Sequence, residues 1–131
     1  MDFFRLPRMI PSPTHVFVYG TLRRGGSNHF RMDGTEFVTT GTVNGRLYQI
    51  DWYPGLVLDE TGDEVIGEIY QVSPGLMEKL DAFEGKQYRR VRVEVDCGGD
   101  QRSSLSAWVW EWLGPCDENH RITSGDWLSP R

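Results

Sequence analysis

Three groups of residues in this chain could do chemistry. The first is Glu84, near the end of the run Leu80-Asp81-Ala82-Phe83-Glu84-Gly85. The second is the segment Gly20-Thr21-Leu22-Arg23-Arg24-Gly25-Gly26, whose glycines leave a row of backbone N–H groups open to a ligand. The third is a set of tyrosines, Tyr19, Tyr48, Tyr53, Tyr70 and Tyr88, at or near the ends of strand-like segments. Glu84 has the most specific placement. Ser73-Pro74 supplies an N-cap and a first-turn proline, so a helix is predicted from Pro74, and Gly85 stops it. At about 100° per residue, Leu76, Leu80 and Phe83 share one stripe, and Glu84 projects between the directions of Leu80 and Met77. Glu78 points nearly opposite and Asp81 lies off the stripe. A carboxylate aimed at apolar surface loses solvation, and the helix C-terminus is the negative end of the dipole. Both raise its pKa towards the range where a general base works near neutrality. The competing reading is a helix-end glutamate that bends out to water.

The remaining polar groups divide more plainly. The loop from Gly20 to Gly25 is either a strand-to-helix turn or an anion cradle of backbone amides. It is not a phosphate loop, because GxxxxGK[ST] and its lysine are absent. Buried tyrosines are by default core residues with satisfied hydroxyls. Arg89 either clamps a carboxylate or pairs with an acid such as Asp81. His15, His29 and His120 lack ligand spacing, so no metal is expected, and only His29 lies near the glycine loop. Cys97 and Cys116 read as free thiols. No Ser or Cys sits in a GxSxG-type elbow.

These residues need elements to position them. Residues 1–14 read as an extended leader, and 15–131 as a single domain. His15 to Tyr19 is a strand buried on both faces, and Ser27 caps a short helix through Met32. From Thr35 to Val72 the signals are β, with a turn expected at Asn44-Gly45 and an interruption at Tyr53-Pro54-Gly55. After the helix, Tyr88 to Val95 is a strand that places Arg89 with Val91, Val93 and Val95, and Tyr88 on the other face unless a bulge intervenes. A turn at Cys97-Gly98-Gly99-Asp100 leads to a partner strand, Leu105 to Trp112. The order predicts an α+β fold: a small mixed, mainly antiparallel sheet curled into a barrel, with one main helix packed on it. Fourteen Lys and Arg against nineteen Asp and Glu give a net charge of −5, which leaves no broad basic footprint for nucleic acid. No apolar run is long enough for a membrane span, and the N-terminus lacks a signal-peptide core, so a cytoplasmic protein is expected.

Taken in order, these segments resemble a known family. Val18-Tyr19-Gly20-Thr21-Leu22-Arg23-Arg24-Gly25 is similar to the YGTL signature of the gamma-glutamylcyclotransferase-like superfamily. Tyr53-Pro54-Gly55, Gly67-Glu68-Ile69-Tyr70, Leu80 to Gly85 with Tyr88-Arg89-Arg90, and Ser124-Gly125-Asp126-Trp127 follow in the family's order. The resemblance runs from His15 to Leu128 and is closest to the gamma-glutamylamine and small bacterial-type branch. It implies a barrel-like fold with a cavity at one end. Tyr19, Gly20, Thr21 and Leu22 would bind the substrate's α-carboxylate through backbone amides, Glu84 would act as base, and Tyr53 and Tyr88 would wall the pocket. It also implies a small-molecule gamma-glutamyl amine or peptide as substrate, release of 5-oxoproline, and no cofactor. The leaving amine is left open. A binding or sensing module that keeps the pocket without turnover is the second reading.

Overall fold

The computed structural model describes residues 14–98 and 103–130. Six strands form one sheet: β1 (Thr14–Val18), β2 (Glu36–Gln49), β3 (Pro54–Leu58), β4 (Asp63–Val72), β5 (Tyr88–Gly98) and β6 (Ser103–Trp112). Their order is β3-β2-β4-β1-β6-β5, and a pairing of Thr42 on β2 with Asp96 on β5 closes five of them into a barrel, leaving β3 as a flap on β2. The β1–β6 pair, through Val16 and Trp108, is parallel, and the other pairs are antiparallel. The α+β barrel expected from the sequence is the fold observed. Thr14 pairs with Val72, so it belongs to β1, and the rest of the expected leader lies outside the described residues, as do Gly99 and Asp100 of the expected turn.

Alternation along β1 separates two cores. Phe17 points into the barrel with Leu47, Leu56, Ile69, Val95 and Val109. Val16 and Val18 point out, with Tyr70, Val72 and Trp110, to meet the helix α1 (Pro74–Glu84) through Met77 and Leu80. A strand buried on both faces reads as an unbroken apolar run, as His15 to Tyr19 does. Ser73 Oγ accepts the Leu76 amide at 3.1 Å, and Gly85, at φ +83°, closes the helix with its amide on the Asp81 carbonyl.

Two local expectations fail. Asn44-Gly45 is not a turn: β2 runs straight through it, pairing with Glu64 and Asp63 of β4 and then with Leu58 of β3. Gly45 is needed there for close approach, since a Cβ would sit 2.7 Å from both Leu56 Cδ1 and the Val57 carbonyl. The chain reverses instead at residues 50–53, where the Tyr53 carbonyl accepts the Ile50 and Asp51 amides. Ser27 caps nothing: the 3₁₀ turn His29–Met32 follows Asn28, which makes no side-chain cap.

Candidate active site

At one end of the barrel, β1, the 50–53 turn, the last turn of α1 and the start of β5 enclose a cavity of about 240 Å³. Phe17, Val18 and Trp110 form its buried floor. Tyr19, Gly20 and Thr21 line one wall, Tyr53 and Pro54 another, and Phe83, Glu84 and Tyr88 a third. Trp52 and Gln87, the exposed lining residues, mark the mouth. The volume suits a small metabolite rather than a large ligand.

Among the described residues, Glu84 is the only carboxylate that lines the cavity, and no Lys, Arg or His lines it. Met77 and Leu80 are the buried helix residues, more so than Leu76 and Phe83, so the buried line runs Met77, Leu80, Glu84 at i, i+3, i+7. The carboxyl keeps access to the cavity but is otherwise enclosed by protein. Burial, with a smaller contribution from the negative Asp81 one turn earlier, pushes its pKa from the ordinary 4.5 up to about 7.

The loop after β1 has the character of an anion cradle. Among the described residues, nothing accepts the amides of Gly20, Thr21 or Leu22, while the Gly20, Thr21 and Leu22 carbonyls are all engaged. Gly20 packs on Pro54: a Cβ there would fall 2.6 Å from Pro54 Cγ. The loop is held from behind by buried charges. Glu68, 5% exposed, accepts the Arg24 amide and the Tyr70 hydroxyl, each at 2.9 Å, on one oxygen and Arg23 Nε at 3.4 Å on the other. Arg23 Nη1 donates to Asp126 at 2.7 Å. Asn28, also buried, donates to Thr21 Oγ1 and to the Thr21 carbonyl. Motifs far apart in sequence thus converge on one loop.

The structure brings together most of the residues expected at the site. Glu84, Tyr19, Gly20, Thr21, Tyr53 and Tyr88 all line the cavity. Leu22 does not; its side chain is buried against the helix side of the sheet, so only its amide is open. Tyr88 reaches the cavity with no bulge, because it lies on the helix-facing side of β5 opposite Trp112. The Tyr19 and Tyr88 hydroxyls are occupied. Tyr19 donates to the Trp110 carbonyl at 2.8 Å and accepts the Leu56 amide at 3.2 Å; Tyr88 donates to the Pro54 carbonyl at 2.5 Å. Burial raises both phenols well above their usual range, with further upward contributions from Tyr88 on Tyr19 and from Glu84 on both, so they stay neutral walls. Arg89 pairs with Glu111 at 3.2 Å and away from the cavity lining; the partner of Asp81 is Arg90, at 2.9 Å. Asp81 also takes the Trp110 indole N–H at 2.8 Å, fixing a floor residue. Sequence reasoning assigned no role to Asp81 beyond a possible arginine partner, nor any to Trp110, Trp52 or Gln87. His29 contacts the Leu22 carbonyl at 2.8 Å and does not line the cavity. No cluster of three or more metal-ligating side chains occurs among the described residues.

The chain is similar to known proteins. A Vibrio cholerae protein is 36% identical over 120 residues, covering 86% of this chain and 93% of its own. The gamma-glutamylaminecyclotransferase of Mus musculus is 34% identical over 121 residues, covering 82% of this chain and 72% of its own. Among solved structures, an uncharacterized protein from Pyrococcus horikoshii superimposes with a TM-score of 0.68 at 29% identity, over 87% of this chain and 89% of that one. An AIG2-like protein from Mus musculus gives 0.68 at 30% identity, over 81% and 86%. Residues 16–129 match the family described as gamma-glutamyl cyclotransferase, AIG2-like, and the chain belongs to that family.

Proposed function

We propose that this protein is a gamma-glutamyl cyclotransferase in which Glu84 is the general acid/base. One observation carries the reading: among the described residues, the sole carboxylate of the cavity, with a pKa of about 7, shares that cavity with a loop whose consecutive amides have no internal acceptor. The amides of Gly20, Thr21 and Leu22 receive the substrate α-carboxylate, while Tyr19, Tyr53 and Tyr88 wall the glutamyl chain. Its α-ammonium, with a pKa of about 8 if peptide values hold, gives a proton to Glu84. The free amine attacks the δ-carbonyl of the same glutamyl unit. A ring C–N bond forms, and Glu84 returns its proton to the departing nitrogen as the bond to the leaving amine breaks. The second proton, which the ring nitrogen sheds on becoming the lactam N–H, passes by the same carboxylate to the departing amine, which leaves as an ammonium. The nucleophile is tethered, so the protein's work is to fix a reactive rotamer and to relay protons from the attacking to the departing nitrogen. The products are 5-oxoproline and a free amine.

Apart from Glu84 the described lining carries no ionised side chain, and this favours leaving groups that are amines over amino acids, because no cation among the described residues pairs a second carboxylate. Cys97 and Cys116 are both free thiols, in keeping with a cytoplasmic protein. The test is a screen of gamma-glutamyl amines and dipeptides with 5-oxoproline release as readout, repeated with Glu84→Gln. Full activity in that variant on a confirmed substrate would remove Glu84 from the mechanism. Tight binding of gamma-glutamyl compounds without any turnover would instead assign the pocket to a sensing module.

A further inference from the structure

Trp52 is 60% exposed, yet it lines the cavity. A large aromatic side chain held at a cavity mouth with most of its surface in water has unspent binding capacity. Its neighbour Tyr53 meets it edge-on, with ring centroids 5.1 Å apart and planes 81° apart, so the two rings form the walls of a corner. Tyr53 is in turn braced by Tyr88 at 6.5 Å and Trp112 at 6.3 Å, which fixes the inner wall. Gln87, neutral and exposed, also lines the cavity. The nearest charges in sequence, Asp51 and Lys86, are exposed, opposite in sign and absent from the lining.

The cavity has a direction. Its floor is buried, Glu84, Gly20 and Thr21 line its walls, and the exposed Trp52 is at the opening. A substrate whose α-amine faces Glu84 and whose α-carboxylate faces the amides fills the inner part with its glutamyl unit. Its leaving amine then emerges past Trp52. We infer that Trp52 and Tyr53 form a leaving-group subsite that takes the apolar, preferably aromatic, substituent of the departing amine. This rests on the cyclotransferase reading for the orientation of the substrate. The amine is held by a ring face and not by a charge, so the subsite selects among gamma-glutamyl amines by apolar surface.

The test compares gamma-glutamyl phenethylamide with gamma-glutamyl ethylamide, which release alkylamines of similar basicity. Wild-type kcat/KM should favour the phenethylamide by roughly three- to tenfold, the range that one added aromatic contact supplies. Trp52→Ala should bring that ratio close to one, and Trp52→Phe should keep most of it. The side chain is on the surface, so the variants retain the fold. A ratio near one in the wild type, or an undiminished ratio in Trp52→Ala, overturns the subsite even where 5-oxoproline is formed. If neither compound is turned over, the cyclotransferase reading fails separately, and the same ratio is read as Kd by calorimetry. A phenethylamide preference lost in Trp52→Ala then upholds the subsite; equal or absent binding of the two compounds overturns it.

Discussion

Replacing Glu84 with glutamine should stabilise the protein at high pH while abolishing turnover. Burial and Asp81 raise the Glu84 pKa from 4.5 to about 7 in the folded chain. At 1.36 kcal/mol per pKa unit this corresponds to about 3 kcal/mol. The direction follows from proton counting. Between those two values the folded chain holds a proton that the unfolded chain has released, so stability falls as pH rises through the window. Below pH 4.5 the group is protonated in both states and the penalty vanishes; above pH 7 it is fully expressed. Glutamine cannot ionise and carries no such penalty. Its own packing and hydrogen-bonding effects are the same at every pH, so they cancel when the variant is compared with the wild type at two pH values. Between pH 5 and pH 8.5, the stability of Glu84→Gln relative to wild type should therefore rise by about 2 to 3 kcal/mol. For a domain of this size that is on the order of 10 °C in Tm.

The assay is urea denaturation of both proteins at the two pH values, with m-values checked for constancy. Parallel pH dependences would refute the claim that Glu84 is held out of water, and with it the physical basis for its use as a base. A relative gain of the expected size, combined with loss of 5-oxoproline release, would tie the instability and the activity to one carboxyl group.

Further outcomes follow from the same geometry. The pH profile of kcat/KM should be a narrow bell, with an acid limb near 7 from Glu84 and a basic limb at about 8 from the substrate ammonium; a plateau reaching down to pH 5 would exclude Glu84 as the titrating group. Asp81→Asn should move that acid limb down, because one negative neighbour is removed, and should loosen the Trp110 indole, seen as a change in tryptophan fluorescence. Glu68→Ala should cost about 3 to 5 kcal/mol in denaturant unfolding, the range for stranding a buried arginine; a change under 1 kcal/mol would mean that Arg23 is adequately served by Asp126 alone. Gly20→Ala should displace the loop from Pro54 and lower kcat/KM at least tenfold with little loss of fold. An unaffected kcat/KM would show that the loop amides are not aligned on the substrate.

How much of this was legible in the sequence depends on whether the cause was local. The position of Glu84 was readable because a helix with a serine cap, a proline start and a glycine stop imposes its own wheel. The barrel strands were readable where alternation was strong, as at Tyr88 to Val95. Asn44-Gly45 misled because the pair has the same turn signal whether the chain reverses or passes straight through. What decided it was Gly45 having to admit the β3 backbone, a contact made by residues more than ten positions away. The loop clamp was illegible for the same reason: Arg23, Glu68 and Asp126 are scattered along the chain, and no periodicity links them. Trp52 and Gln87 lie in loops that line the cavity, where sequence carries least information about direction.

The charge distribution around the site explains why both a buried carboxyl and a buried ion network can coexist within one small barrel. Glu68 is as enclosed as any acid among the described residues, yet it accepts hydrogen bonds from an arginine, an amide and a phenol, so its charge is compensated. Glu84 faces a cavity whose other walls are neutral rings, a proline and unpaired amides, and its nearest charged influence is another acid. The first arrangement fixes a loop; the second leaves a proton poised near neutral pH. An arginine on the Glu84 wall would lower its pKa and unfit it for the proposed role as a base, while an acid on the loop would oppose the carboxylate proposed to bind there. The separation of the two is made by the sheet itself. The network around Arg23 and Glu68 reaches β4 and Asp126, whereas the cavity opens between the end of β1, α1, β5 and the 50–53 turn. Tyr19-Gly20-Thr21 is the place where the two meet, held rigidly from behind and left unpaired in front, which is what a cradle needs if it is to bind an anion without carrying a charge of its own.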